Sequence, residues 1–340
     1  ARLRTGRFQI RVLGGPPKKK KMLNWLIKLS LLKKILIFLA LLFYIILFFN
    51  YKIFPYQKIA LLKNIHIDSF FRHQLYKKEA SKCLNQKSYY PKNKNGKYSF
   101  FIAGHTYGVP NKKIRGFYKG FYKDISKNKK YNFGILAGDF VQEPNEESWE
   151  AIDKQISSLN YKIYIVAGNH DYQDKNFHLY EERYGKTFYN FKYKKDLFII
   201  LDSNLNNLNI VNEQLEFLRN SINSEKFNNL YIVSHHMIWM FNDKVFNSNK
   251  DSKFNFKSTY LPDDFKTNFW DEVAPLLLKL EKNVYLVSGN IGQFPWQRSI
   301  YCKQFKNIKF LSTGMGGGKY DNYLIFKKDN EKIQIDFKYF

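Results

Sequence analysis

Six short apolar runs in this chain each stop abruptly at residues able to bind a metal or move a proton. SFFIA runs into Gly104-His105-Thr106-Tyr107-Gly108, FGILA into Gly138-Asp139, and IYIVA into Gly168-Asn169-His170-Asp171. LFIIL is followed by Asp202-Ser203-Asn204, LYIV by Ser234-His235-His236, and VYLV by Ser288-Gly289-Asn290. Four of the seven histidines, His105, His170, His235 and His236, sit at these run ends, which chance scattering rarely produces. Any one of them alone reads as an ordinary hydrogen-bonded residue. A single Gly-Asp or Gly-Asn reads as a strand-to-helix turn whose Asn or Asp caps the next helix. The series as a whole points to convergent metal ligands. Mixed His, Asp and Asn donors suit Zn, Mn or Fe better than thiolate-selective ions.

The elements that must carry these residues follow from the same runs. Four or five β-branched and aromatic residues bounded by turn formers predict buried strands. Trp149, Ile152, Ile156 and Leu159 recur at helical spacing after Pro144, and Leu215, Leu218 and Ile222 do so after a cap expected at Asn212. Residues 323–326 and 333–337 predict a closing strand pair. Strands alternating with helices imply a layered α/β sheet, in which sites form at the carboxyl ends of strands.

Taken in order, Gly138-Asp139, Gly168-Asn169-His170-Asp171 and Ser234-His235-His236 resemble the calcineurin-like metallophosphoesterase superfamily, across about residues 98–340. Leu201-Asp202-Ser203, followed by Asn212-Glu213-Gln214-Leu215-Glu216-Phe217-Leu218, is similar to its usual mid-domain segment. The resemblance implies a four-layer α/β/β/α sandwich with two central sheets. It also implies roles: Asp139 bridging two metals, Asn169 and His235 on the second metal, and His170 beside the scissile phosphate with Asp171 setting its tautomer. His235 is favoured over His236 as the ligand. The metals would acidify a water and neutralise phosphoryl oxygens for in-line attack.

Both ends of the ligand set depart from the family. Its first motif, Asp-x-His, is here His105-Thr106-Tyr107, and its last, Gly-His-x-His, is Gly289-Asn290-Ile291-Gly292. The first metal then keeps Asp139 and His105, with Tyr107 as a doubtful phenolate ligand or a cleft wall. The second keeps Asp139, Asn169 and His235, with Asn290 where an imidazole belongs. One carboxylate compensates two dications poorly, so one well-formed site is expected rather than two, the second being the better occupied. Gln293-Phe294-Pro295-Trp296-Gln297 offers aromatic surface beside the metals. Gly314-Met315-Gly316-Gly317-Gly318 offers either N–H groups for an anion or a flexible hairpin turn.

The charge calls for a different reading. Of 56 basic residues against 29 acidic, 47 are lysine, spread along the whole chain rather than gathered in one patch. The abundance of Lys, Asn, Ile, Phe and Tyr matches a bias toward A/T-rich codons, and a nucleic-acid partner is not expected. A hydrophobic content of 44% excludes a disordered polyelectrolyte.

Residues 1–21 are read as a non-native or disordered basic leader, with a native basic tail as the competing reading. Residues 22–55 contain fifteen consecutive apolar or aromatic residues at 35–49 and are read as a single transmembrane signal-anchor. Residues 56–97 are read as a juxtamembrane connector and 98–340 as the catalytic domain. Counted from residue 1, the basic flank before the apolar run favours an extracytoplasmic catalytic domain; counted from Met22 that bias nearly vanishes, and the expectation then rests on the layout of a short-tailed anchor. In that compartment Cys83 and Cys302 could pair. The function expected is metal-dependent hydrolysis of a phosphate mono- or diester by a membrane-anchored phosphoesterase, on a cell-envelope substrate that is lipid- or glycan-linked. Two alternatives stay open: a degenerate, non-catalytic member that binds a phosphorylated glycan, lipid or protein, and a nuclease.

Overall fold

The apolar runs form the strands of two sheets, and their alternation decides which residues face which layer. The computed structural model describes residues 66–89, 96–109, 115–128, 130–241, 245–246, 266–292, 298–330 and 332–340, together with Leu36 and Leu39. The chain divides into two units, Ala1–Ile65 and His66–Phe340. In the first, Leu36 and Leu39 are helical and exposed. The rest of the expected leader and anchor, and residues 293–297, lie outside the described residues. Among the described residues no helix is long and apolar enough to cross a membrane.

In the second unit, β1 (Lys97–Ala103), β2 (Phe133–Ala137) and β3 (Lys162–Val166) run parallel. Two antiparallel strands, β10 (Asn322–Asp329) and β11 (Lys332–Tyr339), complete that sheet in the order β11-β10-β1-β2-β3. The other sheet has the order β4-β5-β6-β7-β9-β8. Its centre is parallel: β5 (Asp196–Ile200), β6 (Asn229–Ser234), β7 (Asn283–Ser288) and β9 (Ile308–Thr313). Its edges, β4 (Tyr189–Tyr193) and β8 (Ile300–Phe305), are antiparallel.

Strand alternation makes three cores. Phe100, Ile102, Phe133 and Ile135 face Phe198, Ile200, Tyr231 and Val233 between the sheets. Phe100 stacks on Phe133 and Phe326 at centroid separations of 4.8 and 4.7 Å, so its ring joins three neighbouring strands. Phe101, Ala103 and Leu136 point the other way, against α2 (Lys119–Lys127), α3 (Glu146–Ser157) and α4 (Phe177–Tyr184). Leu197, Ile199, Leu230 and Ile232 pack outward on α5 (Asn212–Ser224) and α6 (Ala274–Leu278). The layers are therefore helix, sheet, sheet, helix, as expected.

Two local expectations change. Helix α3 is capped by Asn145, whose side chain accepts the Ser148 N–H, but α5 starts after Val211 with no side-chain cap, so Asn212 opens the helix rather than capping it. The segment expected as a spacer instead supplies α1 (His66–Leu84) to the compact unit. Ala80 and Cys83 of α1 enter the core between the sheets. Cys83 is disulfide-bonded to Cys302 of β8, with Cα atoms 5.8 Å apart. Lys309 Nζ donates to the Cys83 carbonyl at 3.1 Å, and Arg298 pairs with Glu79 at 3.1 Å.

Candidate metal centre

The carboxyl ends of β1, β2 and β3 meet those of β6 and β7 across the two sheets. His105 N donates to the Gly138 carbonyl at 3.1 Å, and Gly289 N donates to the His235 carbonyl at 3.1 Å. Close approach there requires glycine, as Gly138 and Gly168 show. Gly138 has φ +84°, and a Cβ on it would lie 2.3 Å from His235 Nδ1. A Cβ on Gly168 would lie 2.2 Å from Asp139 Oδ1. His105 and Asp139 themselves adopt positive φ, 51° and 55°. Such backbone costs about 1–3 kcal/mol each and persists where the surroundings impose it.

His105, Asp139 and His235 are wholly buried, and their ligand atoms lie within 4.8 Å of one another. His105 Nδ1 is 3.2 Å from Asp139 Oδ2, and His235 Nε2 is 3.4 Å from Asp139 Oδ1. The far side of each ring fixes its tautomer. His235 Nδ1 lies 3.0 Å from the Ala137 carbonyl, which can only accept, so the hydrogen is on Nδ1 and the Nε2 lone pair faces Asp139. His105 Nε2 donates to Asn290 Oδ1 at 3.0 Å, so its Nδ1 lone pair faces the same carboxylate.

His105 Nδ1, Asp139 Oδ2 and His235 Nε2 are all buried without hydrogen-bond partners. An unpaired buried polar atom costs about 1–3 kcal/mol, and here three acceptors face one another. A cation between them satisfies all three, so the donor set fits a metal.

Charge in the cluster follows from burial and proximity. Burial pushes His105 down to about 4, against the opposing pull of Asp139. Burial would raise Asp139, but His235 and His105 outweigh it and hold the carboxyl well below its usual range. Burial would lower His235, and the Asp139 carboxylate raises it above the ordinary value.

The other expected residues take different places. Asn169 is exposed, outside the buried trio. Asn290, expected on the second metal, instead orients His105. His105 comes from the expected first site and His235 from the second, and both meet on Asp139. His236 is held by Ser203 Oγ at 2.9 Å. Tyr107 is buried, its ring 5.8 Å from those of both His105 and His170. Burial, then Asp139 and Asp171, push its phenol up in the metal-free centre, and its place against the two imidazoles fits the wall role.

Two arrangements differ from those weighed on the sequence. Asp171 does not orient His170: His170 Nδ1 lies 2.8 Å from the Gln142 carbonyl, which fixes its hydrogen on Nδ1. The Asp171 carboxylate instead accepts four backbone N–H groups, from Asp139 and Gly168 at 2.7 Å, Phe140 at 2.8 Å and Val141 at 3.1 Å. Burial and the Asp139 charge push its pKa up, while these donors hold it down. Asp171 therefore builds the loop that presents Asp139. The glycine loop also offers no open anion nest. Its N–H groups at Gly316, Gly317 and Gly318 donate to the chain's own Asp321 at 3.1, 2.8 and 3.0 Å.

The mid-domain segment supplies residues whose roles the sequence reading did not assign. Asn204 Nδ2 donates to the Ala167 carbonyl at 3.0 Å, joining the end of β5 to the loop that bears His170. Gln214 accepts the Asp202 N–H at 2.6 Å and donates back to the Asp202 carbonyl at 3.1 Å. Only the resemblance of the segment signalled them.

No curated protein matches the chain. Among solved structures it is similar to wild-type Vps29 complexed with Zn2+ from Entamoeba histolytica, at 9% identity, 71% of this chain, 98% of that chain and a TM-score of 0.35. Vacuolar Protein Sorting 29 from Cryptosporidium parvum matches at 9%, 72%, 98% and 0.36. The phosphopantetheinyl hydrolase PptH from Mycobacterium tuberculosis matches at 8%, 65%, 90% and 0.37. Residues 115–263, which hold Asp139, His170 and His235, match the calcineurin-like phosphoesterase family. This part of the chain is thus similar to a calcineurin-like phosphoesterase domain.

Proposed function

We propose that the chain hydrolyses a phosphoester at one divalent cation held by His105, Asp139 and His235. The observation that carries this reading is the trio of buried, unpartnered acceptor atoms on those residues. The cation supplies neutralisation of phosphoryl charge and acidification of water. The protein supplies the rest. Asn290 and the Ala137 carbonyl keep both imidazole lone pairs on the Asp139 side. The His170 N–H donates to Asp139 Oδ1 at 3.0 Å, tying the His170 loop to the trio. With Nδ1–H held by Gln142, the Nε2 of His170 is the atom left to take up a proton from water and then give it to a leaving oxygen, returning the ring to its neutral form. Tyr107 packs between His105 and His170 and closes that side.

Membrane anchoring by residues 22–55 and a lipid- or glycan-linked envelope substrate belong to the same proposal. They rest on the apolar run and its basic flank. The Cys83–Cys302 pairing supports an oxidising, extracytoplasmic compartment. A second reading, a metal-binding but non-catalytic phosphate binder, is favoured by Asn290, which serves His105 where the family has a further imidazole.

Hydrolysis of p-nitrophenyl phosphate and its bis-ester with Mn2+ separates the two. The phosphoesterase reading expects turnover that His170→Ala lowers by about 10²-fold or more, with metal content unchanged. Metal binding without turnover of either ester would establish the binder.

A further inference from the structure

One imidazole at the centre has no part in the scheme above. His236 stands beside His235, the two rings 4.7 Å apart and nearly perpendicular. Unlike the wholly buried His235 and Ser203, it is only half-buried.

Its backbone and one ring nitrogen are tied down. Ser203 Oγ accepts the His236 N–H at 2.9 Å, and Ser234 Oγ donates to the His236 carbonyl at 3.1 Å. Ser203 Oγ also lies 2.9 Å from His236 Nδ1. A buried hydroxyl has one hydrogen to give, and His236 Nδ1 is the acceptor within reach. Nδ1 therefore accepts, and the neutral ring carries its hydrogen on Nε2, which has no hydrogen-bond partner among the described residues. His170 is set the opposite way, with Nδ1–H on Gln142.

Ser203 is itself held rigidly. The paired bonds between Gln214 and Asp202, the Tyr172 hydroxyl on Asp202 Oδ2 at 2.9 Å, and the Asn204 bond to Ala167 fix the residues on either side of it.

We propose that Ser203 and His236 form a preorganised neutral donor, in which His236 Nε2–H binds a non-bridging phosphoryl oxygen and Ser203 is the positioning residue. This rests on the phosphoester reading of the same centre and gives its two half-exposed histidines different tasks. His170 exchanges a proton with the leaving oxygen, and His236 keeps its hydrogen and orients the phosphoryl group. A fixed donor needs no reorganisation as charge builds on that oxygen.

The test uses the full chain with Mn2+ and reads both inorganic phosphate affinity and bis-p-nitrophenyl phosphate turnover. His236→Gln places an amide N–H where Nε2–H stands, whereas His236→Asn places it at the Nδ1 position. We expect His236→Asn to lower phosphate affinity and kcat/KM by about tenfold to a hundredfold, and His236→Gln to restore most of both. A long-range 15N–1H correlation should show His236 as the Nε2–H tautomer in the metal-free wild type and lose that pattern in Ser203→Ala.

Wild-type phosphate affinity and turnover in His236→Asn, or an Nδ1–H tautomer in the wild type, overturns the proposal. Phosphate binding that depends on His236 without hydrolysis of either ester sustains the donor while removing the phosphoesterase reading. A metal-loaded wild type that neither binds phosphate nor turns over ester removes both.

Discussion

At the residue scale, the centre depends on what stands behind each ligand. The Asp171 carboxylate orients no imidazole; its two oxygens collect the N–H groups of Gly168, Asp139, Phe140 and Val141 and so shape the turn at Asp139. Asp171→Asn replaces one of those oxygens by a donor that faces N–H groups. Leaving a buried backbone donor unsatisfied costs about 1–3 kcal/mol, so the urea midpoint and metal affinity should fall together. Lost turnover at unchanged stability and metal affinity would instead return Asp171 to the role of His170 partner.

The ligand types were legible in the sequence, because strand ends followed by His, Asp or Asn are visible there. The ring nitrogens that face Asp139 were not. They depend on Ala137 and Asn290, which are distant in sequence from His235 and His105. The left-handed backbone at His105 and Asp139 was equally hidden, since neither residue type announces it.

At the element scale, the central strands were legible as apolar runs, since both faces of each are buried. The edges were not. In β4, residues Tyr189–Tyr193 alternate between half-buried and exposed, so no apolar run marks the strand. Helix α1 was missed for a similar reason. Polar and charged residues such as Lys77, Lys78 and Lys82 interrupt any apolar run, and among its described side chains the buried ones are His73, Ala80 and Cys83. His73 stacks on Tyr320 at 3.8 Å and meets Tyr339 edge-on, joining α1 to the glycine loop and to β11.

Burial first, and then Lys77, push His73 down to about 4. A histidine lowered in the folded state contributes stability that is present above its ordinary pKa of 6.5 and lost as pH falls toward 4. His73→Phe keeps a stacked ring and removes that titration. The urea midpoint of the variant relative to wild type should therefore rise as pH drops through this window. A difference that stays constant with pH would show that His73 titrates normally in the folded chain.

At the scale of the whole molecule, one principle joins the fold to the chemistry. Two sheets whose parallel strands end on the same side deliver His105, Asp139 and His235 from three strand ends to one buried point. Cys83 and Cys302 close a loop of sequence separation 219 and fasten α1 to the edge of the second sheet. The four-layer architecture was readable from strand and helix alternation together with the motif order. The make-up of the donor set was not, because Asn169, Asn290 and Tyr107 were each weighed as ligands. The fold places these, in turn, in an exposed loop, behind His105 and in the wall beside it.

Metal content tests the central claim most directly. The full chain, saturated with Mn2+ or Zn2+ and desalted, should retain about one equivalent by elemental analysis, and Asp139→Asn should reduce this to near zero. Retention of two equivalents, or of one that survives Asp139→Asn, would contradict a single cation held by His105, Asp139 and His235.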